Sequence, residues 1–475
     1  MKQCLDRFFQ ITEKGSTLRT EIIAGLTTFF TMAYCVVLTP NLIGQGNTQI
    51  YNGVFFANCI AAFVGTLLMA LLARIPFAQA SGIGLNAFFA FTVMPQIARI
   101  APAPEGLSAD EQLIRSYEMA LAVVFLSGLL FILITVLGAR EAIIKAIPKN
   151  VKLAISGGIG LFLAFLGLKN AGLVVADESN FVGLADFSRI GSIGAKGAIL
   201  AFLGLIIIAI LYKLNVKGAI LIGIAVISVI SYLPGIGVAT IAPGTFHVDF
   251  AAQAQDFVHT SLFGFVRGFG HLFSGSNLFS AIATVLMLLI VFSMVDMFDT
   301  IGTLLGTAKK ANLLDENGEM PGMKKALLCD AIATTAGAVT GTSTVTTFVE
   351  SSAGIGEGGR TGMTSLVTAV LFLVALVAAP FVGLIPSVAT APALIFVGVL
   401  MISSIREVDF SDITEAVPAF LTIAMMPLTF SIANGIAFGI ISYCLLKICT
   451  GKIKEVSWVA ILLSVIFILR YALIR

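Results

Sequence analysis

Residues 281–308 read AIATVLMLLIVFSMVDMFDTIGTLLGTA, an apolar run that is long enough to cross a bilayer yet contains two carboxylates, Asp296 and Asp299. A third carboxylate, Glu350, lies in residues 341–353, GTSTVTTFVESSA, just after another apolar run. An ionisable group at membrane depth is energetically costly, so it usually faces a cavity, a transport pathway or a partner. These two segments therefore predict a membrane-embedded site around Asp299 and Glu350.

The composition is typical of a membrane protein. Of the 475 residues, 58% are hydrophobic and 11% are charged, whereas soluble domains contain about 25% charged residues. Apolar runs of about 17–25 residues, each sufficient to span the hydrocarbon core, recur along the chain. They predict an all-α, polytopic membrane protein. The net charge of +2 gives no indication of a nucleic-acid partner.

The hydrophobic pattern predicts about fourteen membrane-spanning segments. A further apolar run at 457–474 either crosses the membrane or lies along its surface. The predicted spans are 21–43, 52–73, 79–98, 117–138, 151–169, 193–212, 217–233, 278–306, 323–341, 344–359, 363–385, 391–405, 415–431 and 434–449.

Basic residues are unevenly distributed between the two sides of these spans. The N-terminal segment 1–20 is rich in Lys and Arg, whereas the loops 99–116 and 170–190 are poorer in basic residues and carry several carboxylates. By the positive-inside rule, the N-terminus is cytoplasmic. We expect a multi-pass protein of the cell (plasma) membrane.

The longest polar stretch, 234–276, lies on the predicted outer side and connects two halves of the chain. Its segment 249–272 has the mixed polarity of a surface helix. Gly and Pro residues mark its start as a loop, namely Pro234, Gly235, Gly237, Pro243 and Gly244.

Motifs of enzymes and metal sites are missing from the sequence. The six cysteines are scattered without ligand spacing and predict free thiols. There is no HExxH motif, no P-loop and no pair of CxxC motifs. We therefore expect no metal site, no cofactor and no enzymatic activity.

Two predicted spans begin with small and polar residues where a membrane helix is normally rich in leucine. The third span begins QASGIGLN at 79–86, and the tenth begins with the β-branched stretch GTSTVTTFVE at 341–350. Paired interrupted segments in corresponding halves are typical of inverted-repeat transporters with a site at the midplane. Alternatively, these residues are small faces for helix packing.

The predicted site is rich in hydrogen-bond acceptors. Asp299 and Glu350 accept, Asn86 both donates and accepts, and unwound backbone adds further groups. Phe348 offers an aromatic face, unless it only packs. This set suits a flat heterocycle with N–H groups on one edge, and it also suits a polar metabolite or a cation.

Each polar candidate also has a structural interpretation. Asp299 could cap or brace the next helix, and Asp296 could hydrogen-bond a neighbouring helix. Glu350 could pair with a buried cation such as Arg360. Asn86 could form an interhelical hydrogen bond.

Several motifs together resemble those of the guanine/hypoxanthine/adenine permeases, a branch of the nucleobase–cation symporters related to the uracil and xanthine/urate permeases. The resemblance covers essentially the whole chain. The matching stretches are GLTTFFTMAY (25–34), GLNAFFAF (84–91), GGIGLFLAFLGLKNAG (157–172), DMFDTIGTLLG (296–306), residues 341–353, GGRTG (358–362) and AVPAFLTIAMMPLTFSIANG (416–435).

The resemblance implies a fold of two inverted seven-helix repeats that is divided into a core and a gate domain, with short strands in the third and tenth spans. The chain then divides into a cytoplasmic N-terminus (1–20), first core half (21–138), first gate half (139–233), extracytoplasmic connector (234–276), second core half (277–386), second gate half (387–450) and C-terminal apolar segment (451–475).

The resemblance also implies roles for individual residues. The substrate-binding positions would be Asp299, Glu350, Asn86, Gly84 and Phe348. Asp296 matches a second acidic position of the eighth span. Since protonation removes a charge from the site, the candidates for proton coupling are Asp296, Asp299 and Glu350.

The resulting hypothesis is a secondary active transporter that imports purine nucleobases (hypoxanthine, guanine or adenine) by proton symport, with elevator-like alternating access. Its expected partners are the base, the proton and the lipid bilayer and, by resemblance, a second copy in a homodimer. The alternatives are sodium coupling or another small solute on the same fold. The acids at the site disfavour an anion.

Overall fold

The computed structural model describes residues 2–137, 148–177, 181–188, 192–233, 236, 238, 250–272, 278–310, 320, 322–382 and 384–473, most of them helical. The first half contains α1 (Lys2–Phe9), α2 (Leu18–Met32), α3 (Tyr34–Gly44), α4 (Thr48–Leu68), β1 (Gln79–Ser81), α5 (Ile83–Phe88), α6 (Met94–Ile100), α7 (Ala109–Val136), α8 (Lys149–Asn170), β2 (Val174–Asp177), β3 (Phe181–Leu184), α9 (Ile193–Lys213) and α10 (Ala219–Ser231).

The remaining elements follow the predicted connector. They are α11 (Phe250–Asp256), α12 (Gly264–Leu272), α13 (Leu278–Lys310), α14 (Met323–Thr340), β4 (Val345–Thr347), α15 (Ser351–Gly356), α16 (Gly362–Val374), α17 (Ala379–Val382), α18 (Ser387–Ile402), α19 (Ile413–Leu428), α20 (Ile432–Cys449) and α21 (Trp458–Leu473).

Eight helices among the described residues are long and apolar enough to cross a membrane, and they make this a multi-pass membrane protein. Their 18–28 residues correspond to about 27–42 Å at 1.5 Å per residue. They are Leu18–Gly44, Thr48–Ala73, Ile83–Ile100, Ala109–Val136, Lys149–Asn170, Ile193–Lys213, Ser387–Glu407 and Ile432–Cys449, and the shorter apolar helices are Ala219–Ser231, Ile282–Met297, Gly362–Ala378, Ile413–Leu428 and Trp458–Leu469.

Two short strands, β1 and β4, meet inside the helical protein. They pair antiparallel with Ala80 opposite Thr346. Gly82 N–H donates to the Thr344 carbonyl at 3.2 Å, and Phe348 N–H donates to the Ala78 carbonyl at 3.0 Å. Because extended backbone at membrane depth must find partners inside the protein, each strand supplies the hydrogen bonds that the other needs.

Neighbouring helices hold this strand pair in place. Thr66 of α4 accepts from the Gln79 N–H and donates to the Gln79 carbonyl, both at 2.9 Å. Thr334 of α14 donates to the Val345 carbonyl at 3.2 Å. Helix α5 follows β1 and helix α15 follows β4, so two half-length helices begin next to the strand pair.

A second group of helices packs beside the strand-bearing group. In it, α8 packs against α18 and α19, and α19 packs against α20. A Cβ atom on Gly160 of α8 would lie 2.7 Å from the carbonyl oxygen of Gly398 in α18. Only glycine allows these two backbones to approach so closely.

The predicted surface helix of the connector is present as α11 and α12, joined by the π-helical turn Phe257–Ser261. Two side chains of α12 contact the Glu118 carboxylate of α7. Arg267 Nε lies 2.5 Å from Glu118 Oε1 and His271 Nε2 lies 3.3 Å from Glu118 Oε2, so α12 is held against α7. The predicted loop residues Pro234, Gly235, Gly237, Pro243 and Gly244 lie outside the described residues.

The last helix, α21, runs antiparallel along α20. At one end Lys447 Nζ lies 2.6 Å from Glu455 Oε2, just before α21 begins. At the other end Tyr471 Oη donates to Asn434 Oδ1 at 2.8 Å. Both alternatives for residues 457–474, a span or a helix along the membrane surface, stay open, and the structure shows that α21 packs along α20.

A β-hairpin follows α8 where the sequence predicts only a loop. Strands β2 and β3 pair antiparallel, with Val174 opposite Leu184. The sequence placed short strands in the third and tenth spans, and the structure adds this hairpin within the predicted loop 170–190. These strands have four residues each, too few for a clear alternating pattern.

Candidate functional site

The antiparallel pair of β1 and β4 brings together the candidate site residues that the sequence predicted. Asn86 and Gly84 follow β1 in α5, and Phe348 and Glu350 follow β4. Helix α13 contributes Asp299 beside Thr346 of β4. The eighth, third and tenth predicted spans therefore converge on one place in the fold.

Glu350 lies at the N-terminus of α15, in the N-cap position. Tyr34 Oη donates to Glu350 Oε1 at 2.6 Å. The alternative pairing of Glu350 with Arg360 is wrong, because the Arg360 guanidinium donates to the carbonyls of Ile355 and Gly359 at 2.7 and 2.9 Å. Glu350 is partly exposed, and its second oxygen lies outside the Tyr34 hydrogen bond.

Asp299 is also partly exposed. It precedes Thr300, whose Oγ1 is hydrogen-bonded to Thr346 Oγ1 of β4 at 2.8 Å, and its electrostatic neighbours are Thr346, Asp330 and Glu350. Asp299 and Glu350 are thus two acceptors in one neighbourhood, and such a pair suits a ligand with several N–H groups. The structural interpretation of Asp299, a cap or brace for the next helix, stays a prediction.

Asp330 of α14 belongs to the same cluster and was missed by the sequence reasoning. It is fully buried, and it accepts from Thr300 Oγ1 at 2.7 Å and from Gln79 Nε2 at 3.3 Å. Thr300 Oγ1 is also hydrogen-bonded to Thr346 Oγ1 at 2.8 Å. The signal was available, since Asp330 is the single acid of the predicted span 323–341.

Asp296 lies deeper than Asp299. Its side chain is fully buried, and Asp296 Oδ2 accepts from Thr334 Oγ1 of α14 at 3.3 Å. This is a hydrogen bond to a neighbouring helix, as the structural interpretation of Asp296 described.

Asn86 connects the two interrupted spans. Asn86 Oδ1 accepts from Ser81 Oγ at 2.6 Å and from Ser343 Oγ. Asn86 Nδ2 donates to Thr39 Oγ1 at 2.9 Å and to the Ser81 carbonyl at 3.4 Å. Since both ends of this buried amide are already paired, Asn86 fixes the shape of the site.

Gly84 and Phe348 make packing contacts. A Cβ atom on Gly84 would lie 2.7 Å from Ile159 Cγ2 of α8, so Gly84 marks a close contact between the strand-bearing helices and the second group. Phe348 is 6% exposed and belongs to the main apolar cluster. Phe348 lies two residues before Glu350, and neither Phe348 nor Gly84 has a side chain that offers a hydrogen bond.

The arrangement accepts hydrogen bonds and positive charge. Asp299 and Glu350 are partly exposed acceptors, while the carboxyl groups of Asp330 and Asp296 are fully buried. Such a site attracts N–H groups, protons or cations, and it repels anions. Its neutral donors are hydroxyl groups, namely those of Tyr34, Thr300, Thr334 and Thr346.

Comparison with known proteins gives near full-length matches. The Permease family matches residues 19–438. A guanine/hypoxanthine permease of Bacillus subtilis is 41% identical over 475 residues, which cover 97% of this chain and 99% of the relative. An adenine permease of Escherichia coli is 38% identical over 470 residues, which cover 99% of this chain and 96% of the relative.

Solved structures show the same fold at low sequence identity. The transmembrane domain of a cyanobacterial bicarbonate transporter aligns with a TM-score of 0.59 and 17% identity, over 88% of this chain and 97% of that chain.

Proposed function

The chain belongs to the Permease family, among the relatives of guanine/hypoxanthine and adenine permeases, and we propose that it is a secondary active transporter that imports purine nucleobases. It is a permease and not an enzyme, as the sequence predicted. The observation that carries the proposal is the position of Asp299 and Glu350, two partly exposed acceptors beside β4.

Purine recognition would use these acceptors first. Glu350 and Asp299 accept N–H groups of the base, and Tyr34 orients the Glu350 carboxylate through its 2.6 Å hydrogen bond. Phe348 supplies apolar surface next to the ring. Asn86 and Gly84 act indirectly, because the amide holds the two interrupted spans together and the glycine admits Ile159.

Proton symport is the proposed coupling. Asp299, Glu350 and Asp296 are the proton-carrying candidates, and Asp330 joins them because it contacts Thr300 and Gln79 in the same cluster. A proton taken up with the base removes one negative charge from the site, which lowers the cost of moving the loaded site through the membrane. Sodium coupling and transport of another small solute are the alternatives, and the acidic site disfavours anions.

The proposed mechanism is elevator-like alternating access by two inverted seven-helix repeats, fourteen spans in all. The core would comprise 21–138 and 277–386, and the gate 139–233 and 387–450. One exposed ion pair bridges these proposed domains, Lys217 Nζ to Glu357 Oε1 at 3.1 Å. Exposed pairs contribute little stability, so this bridge can break and re-form during a transport cycle.

The proposed location is the plasma membrane, with a cytoplasmic N-terminus and a homodimeric assembly. The excess of Lys and Arg on the N-terminal side supports this orientation. Residues 1–20 would then place α1 on the cytoplasmic surface, where Phe9 and Ile11 pack against Met363 of α16.

Uptake of radiolabelled hypoxanthine into proteoliposomes tests the function. We expect uptake that is driven by an inward proton gradient and is blocked by excess unlabelled guanine or adenine, with little competition from uracil. Sodium-dependent uptake without a proton requirement would instead establish the sodium alternative. Absence of transport of any base by the folded, inserted protein would overturn the proposal.

Coupling is tested separately in the Asp299→Asn variant. If Asp299 carries the proton, residual purine uptake no longer responds to an uncoupler. Full sensitivity to the uncoupler would remove Asp299 from the candidates, and the same experiment with Asp330→Asn and Glu350→Gln would follow.

A further inference from the structure

One buried carboxylate that the proposed mechanism does not use is Glu21, in the first turn of α2. Glu21 Oε1 accepts from the Arg360 N–H at 2.9 Å. Glu21 Oε2 accepts from the Thr361 and Thr364 N–H groups at 3.3 and 3.1 Å and from the Thr364 hydroxyl at 2.5 Å. A single side chain of α2 therefore holds the backbone at the start of α16.

This contact is not an ordinary helix cap. The first N–H groups of a helix need acceptors, and a neutral side chain at the N-cap usually supplies one. Thr361 already does so for α16, because its hydroxyl accepts from the Met363 N–H at 3.2 Å. Glu21 is 339 residues away from Arg360, and burial of a carboxylate is costly unless hydrogen bonds compensate for it. The carboxylate thus adds a connection between distant elements.

The turn between α15 and α16 transmits the position of Arg360 to α15. Gly359 N–H donates to the Gly354 carbonyl at 3.1 Å, and Gly358 N–H donates to the Ile355 carbonyl at 3.0 Å. Gly358 has a φ of +98°, so α15 ends in a Schellman motif. The Arg360 guanidinium also donates to the Ile355 carbonyl at 2.7 Å. The last turn of α15 is therefore fixed relative to the residue that Glu21 holds.

Helix α2 packs directly against both α15 and α16. A Cβ atom on Gly354 of α15 would collide with the Ala24 carbonyl oxygen of α2. A Cβ atom on Gly25 of α2 would lie 2.7 Å from the Thr364 carbonyl oxygen of α16. Because these backbones are in close contact, a displacement of α2 cannot occur without a displacement of α15.

The first predicted span contacts α15 at both of its ends. Glu21 holds the turn that follows α15, and Tyr34 donates its 2.6 Å hydrogen bond to Glu350, the N-cap residue of α15. The six residues of α15 span only about 9 Å. A shift at one end of so short a helix reaches the other end.

We propose that Glu21 is a positioning residue for purine transport, which acts through the α15–α16 turn and through α15 to set the position of the Glu350 carboxylate. The inference rests on the proposed function, in which Glu350 accepts N–H groups of the base. Glu21 itself does not contact the substrate. Loss of its hydrogen bonds therefore changes the affinity for the base, and not only the stability of the protein.

Kinetics of hypoxanthine uptake into proteoliposomes test this role in the full-length protein. Glu21→Gln keeps the side-chain size and replaces one acceptor with an NH₂ group that faces N–H donors. We expect the KM to rise about three- to tenfold through the loss of these hydrogen bonds. The control is Glu13→Gln, an exposed glutamate of the same N-terminal segment, whose KM should stay within about twofold of wild type.

A double variant with Tyr34→Phe separates positioning from general stability. Both changes act on the Glu350 carboxylate, and residues that act on one group are not additive. The KM of Glu21→Gln/Tyr34→Phe should therefore be at least about threefold below the product of the two single increases. Increases that multiply exactly would overturn the proposal, because the two residues would then act independently.

A milder variant, Thr364→Val, decides the question if Glu21→Gln does not insert. It removes one hydroxyl donor and keeps the carboxylate, so we expect a rise in KM of about two- to fivefold that is again non-additive with Tyr34→Phe. Its matched control is Thr390→Val, since the buried Thr390 hydroxyl donates to the Ser387 carbonyl of its own helix at 3.1 Å. Equal effects of the two Thr→Val changes would overturn the proposal.

Thermal unfolding of the same preparations distinguishes the remaining outcomes. If Glu21→Gln lowered the thermal midpoint while its KM stayed at the wild-type value, Glu21 would be a structural residue and the inference would fail. Purine uptake by the wild-type protein would still uphold the proposed function in that case. If the folded wild-type protein transported no purine, the proposed function itself would fail.

Discussion

Tyr34 and Glu350 are 316 residues apart in the sequence, yet the Tyr34 hydroxyl donates a 2.6 Å hydrogen bond to Glu350 Oε1. The donor stands at the start of α3, where α2 ends and a new helix begins. The acceptor stands at the start of the half-length helix α15. This contact joins the first predicted span to the tenth and orients the carboxylate that we propose for purine binding.

Removal of this donor should weaken transport. In Tyr34→Phe the Glu350 carboxylate keeps its charge and loses its orienting hydroxyl. Hydrogen bonds to charged groups contribute about 1.5–3 kcal/mol, and partial exposure of Glu350 reduces this value. We expect the KM for hypoxanthine uptake to rise about three- to thirtyfold with normal membrane insertion. A KM and a maximal rate within twofold of wild type would contradict this role.

Asp330→Asn should impair transport although Asp330 was not among the sequence-predicted site residues. Thr300 Oγ1 and Gln79 Nε2 both donate to Asp330 Oδ1, so the amide oxygen of the variant can keep both hydrogen bonds. The substitution therefore removes the carboxylate and its capacity to carry a proton, and it leaves these two contacts in place. We expect uptake per inserted molecule to fall at least tenfold.

Asp186→Asn provides the matched control for Asp330→Asn. Asp186 is exposed and accepts a local hydrogen bond from Ser188 N–H at 2.9 Å. Purine uptake by the Asp186→Asn variant should therefore stay within twofold of wild type. If Asp330→Asn behaved like this control, the Asp330 carboxylate would contribute neither charge nor a proton to transport.

Asn86→Ala should lower stability because three buried hydroxyl groups lose a partner at once. Ser81, Ser343 and Thr39 all use the Asn86 amide, although the Ser81 and Ser343 hydroxyl groups remain 3.2 Å from each other. Each orphaned buried group costs about 1–3 kcal/mol, and relaxation recovers part of this, so we expect a loss of about 2–3 kcal/mol. Thermal unfolding in detergent measures it.

A double-mutant cycle with Ser343→Ala tests whether the Asn86 effect is this network. Residues in one hydrogen-bond network couple by about 0.5–3 kcal/mol. The double variant should therefore be more stable than the sum of the two single losses predicts. Strict additivity would show that Asn86 and Ser343 act independently.

Gly84→Ala should obstruct the contact between α5 and α8. The new methyl group would lie 2.7 Å from Ile159 Cγ2, and packed interiors accommodate such overlaps only at a cost. We expect a fall of at least tenfold in the maximal uptake rate, with partial recovery in Gly84→Ala/Ile159→Ala, where the opposing methyl group is absent. A double variant no more active than Gly84→Ala would contradict the steric explanation.

The sequence predicted those candidate site residues whose signal lies within a short stretch of sequence. Asp299 and Glu350 stand out because a charge inside an apolar run is visible without any structure, and their convergence followed from the paired interrupted spans. Asp330 carries the same signal in a shorter apolar run and was overlooked. Tyr34 carries none, since a tyrosine in a membrane helix is ordinary and its partner is 316 residues away.

The sequence did not predict the β2–β3 hairpin or the path of α21, for a related reason. The hairpin of β2 and β3 depends on pairing between strands of four residues each, which leave little pattern. The path of α21 is set by contacts at its two ends, Lys447 with Glu455 and Tyr471 with Asn434. Hydropathy specifies that such a helix is apolar, but only these contacts specify what it lies against.

Asp412, just before α19, should make stability depend on pH. Its carboxylate accepts from Lys452 Nζ at 2.9 Å and from the Thr414 N–H and hydroxyl at 2.9 and 2.8 Å. The hydrogen bond from Lys452, followed by those from Thr414, holds the pKa of Asp412 well below its usual value of 3.8. A carboxyl group with a depressed pKa stabilises the folded state above the unfolded pKa, and this contribution disappears as pH falls through the folded pKa.

Asp412→Asn should therefore lower the thermal midpoint at pH 7, and the difference from wild type should shrink as the pH falls below about 4. Because other carboxylates titrate equally in both proteins, the difference between them reports Asp412 alone. Lys452→Met removes the main cause of the shift and should reproduce most of the loss at pH 7, whereas Lys454→Met, a neighbouring cation outside this contact, should not. A difference between Asp412→Asn and wild type that stayed constant from pH 7 to pH 3 would show that the carboxylate acts through its shape as a helix cap and not through its charge.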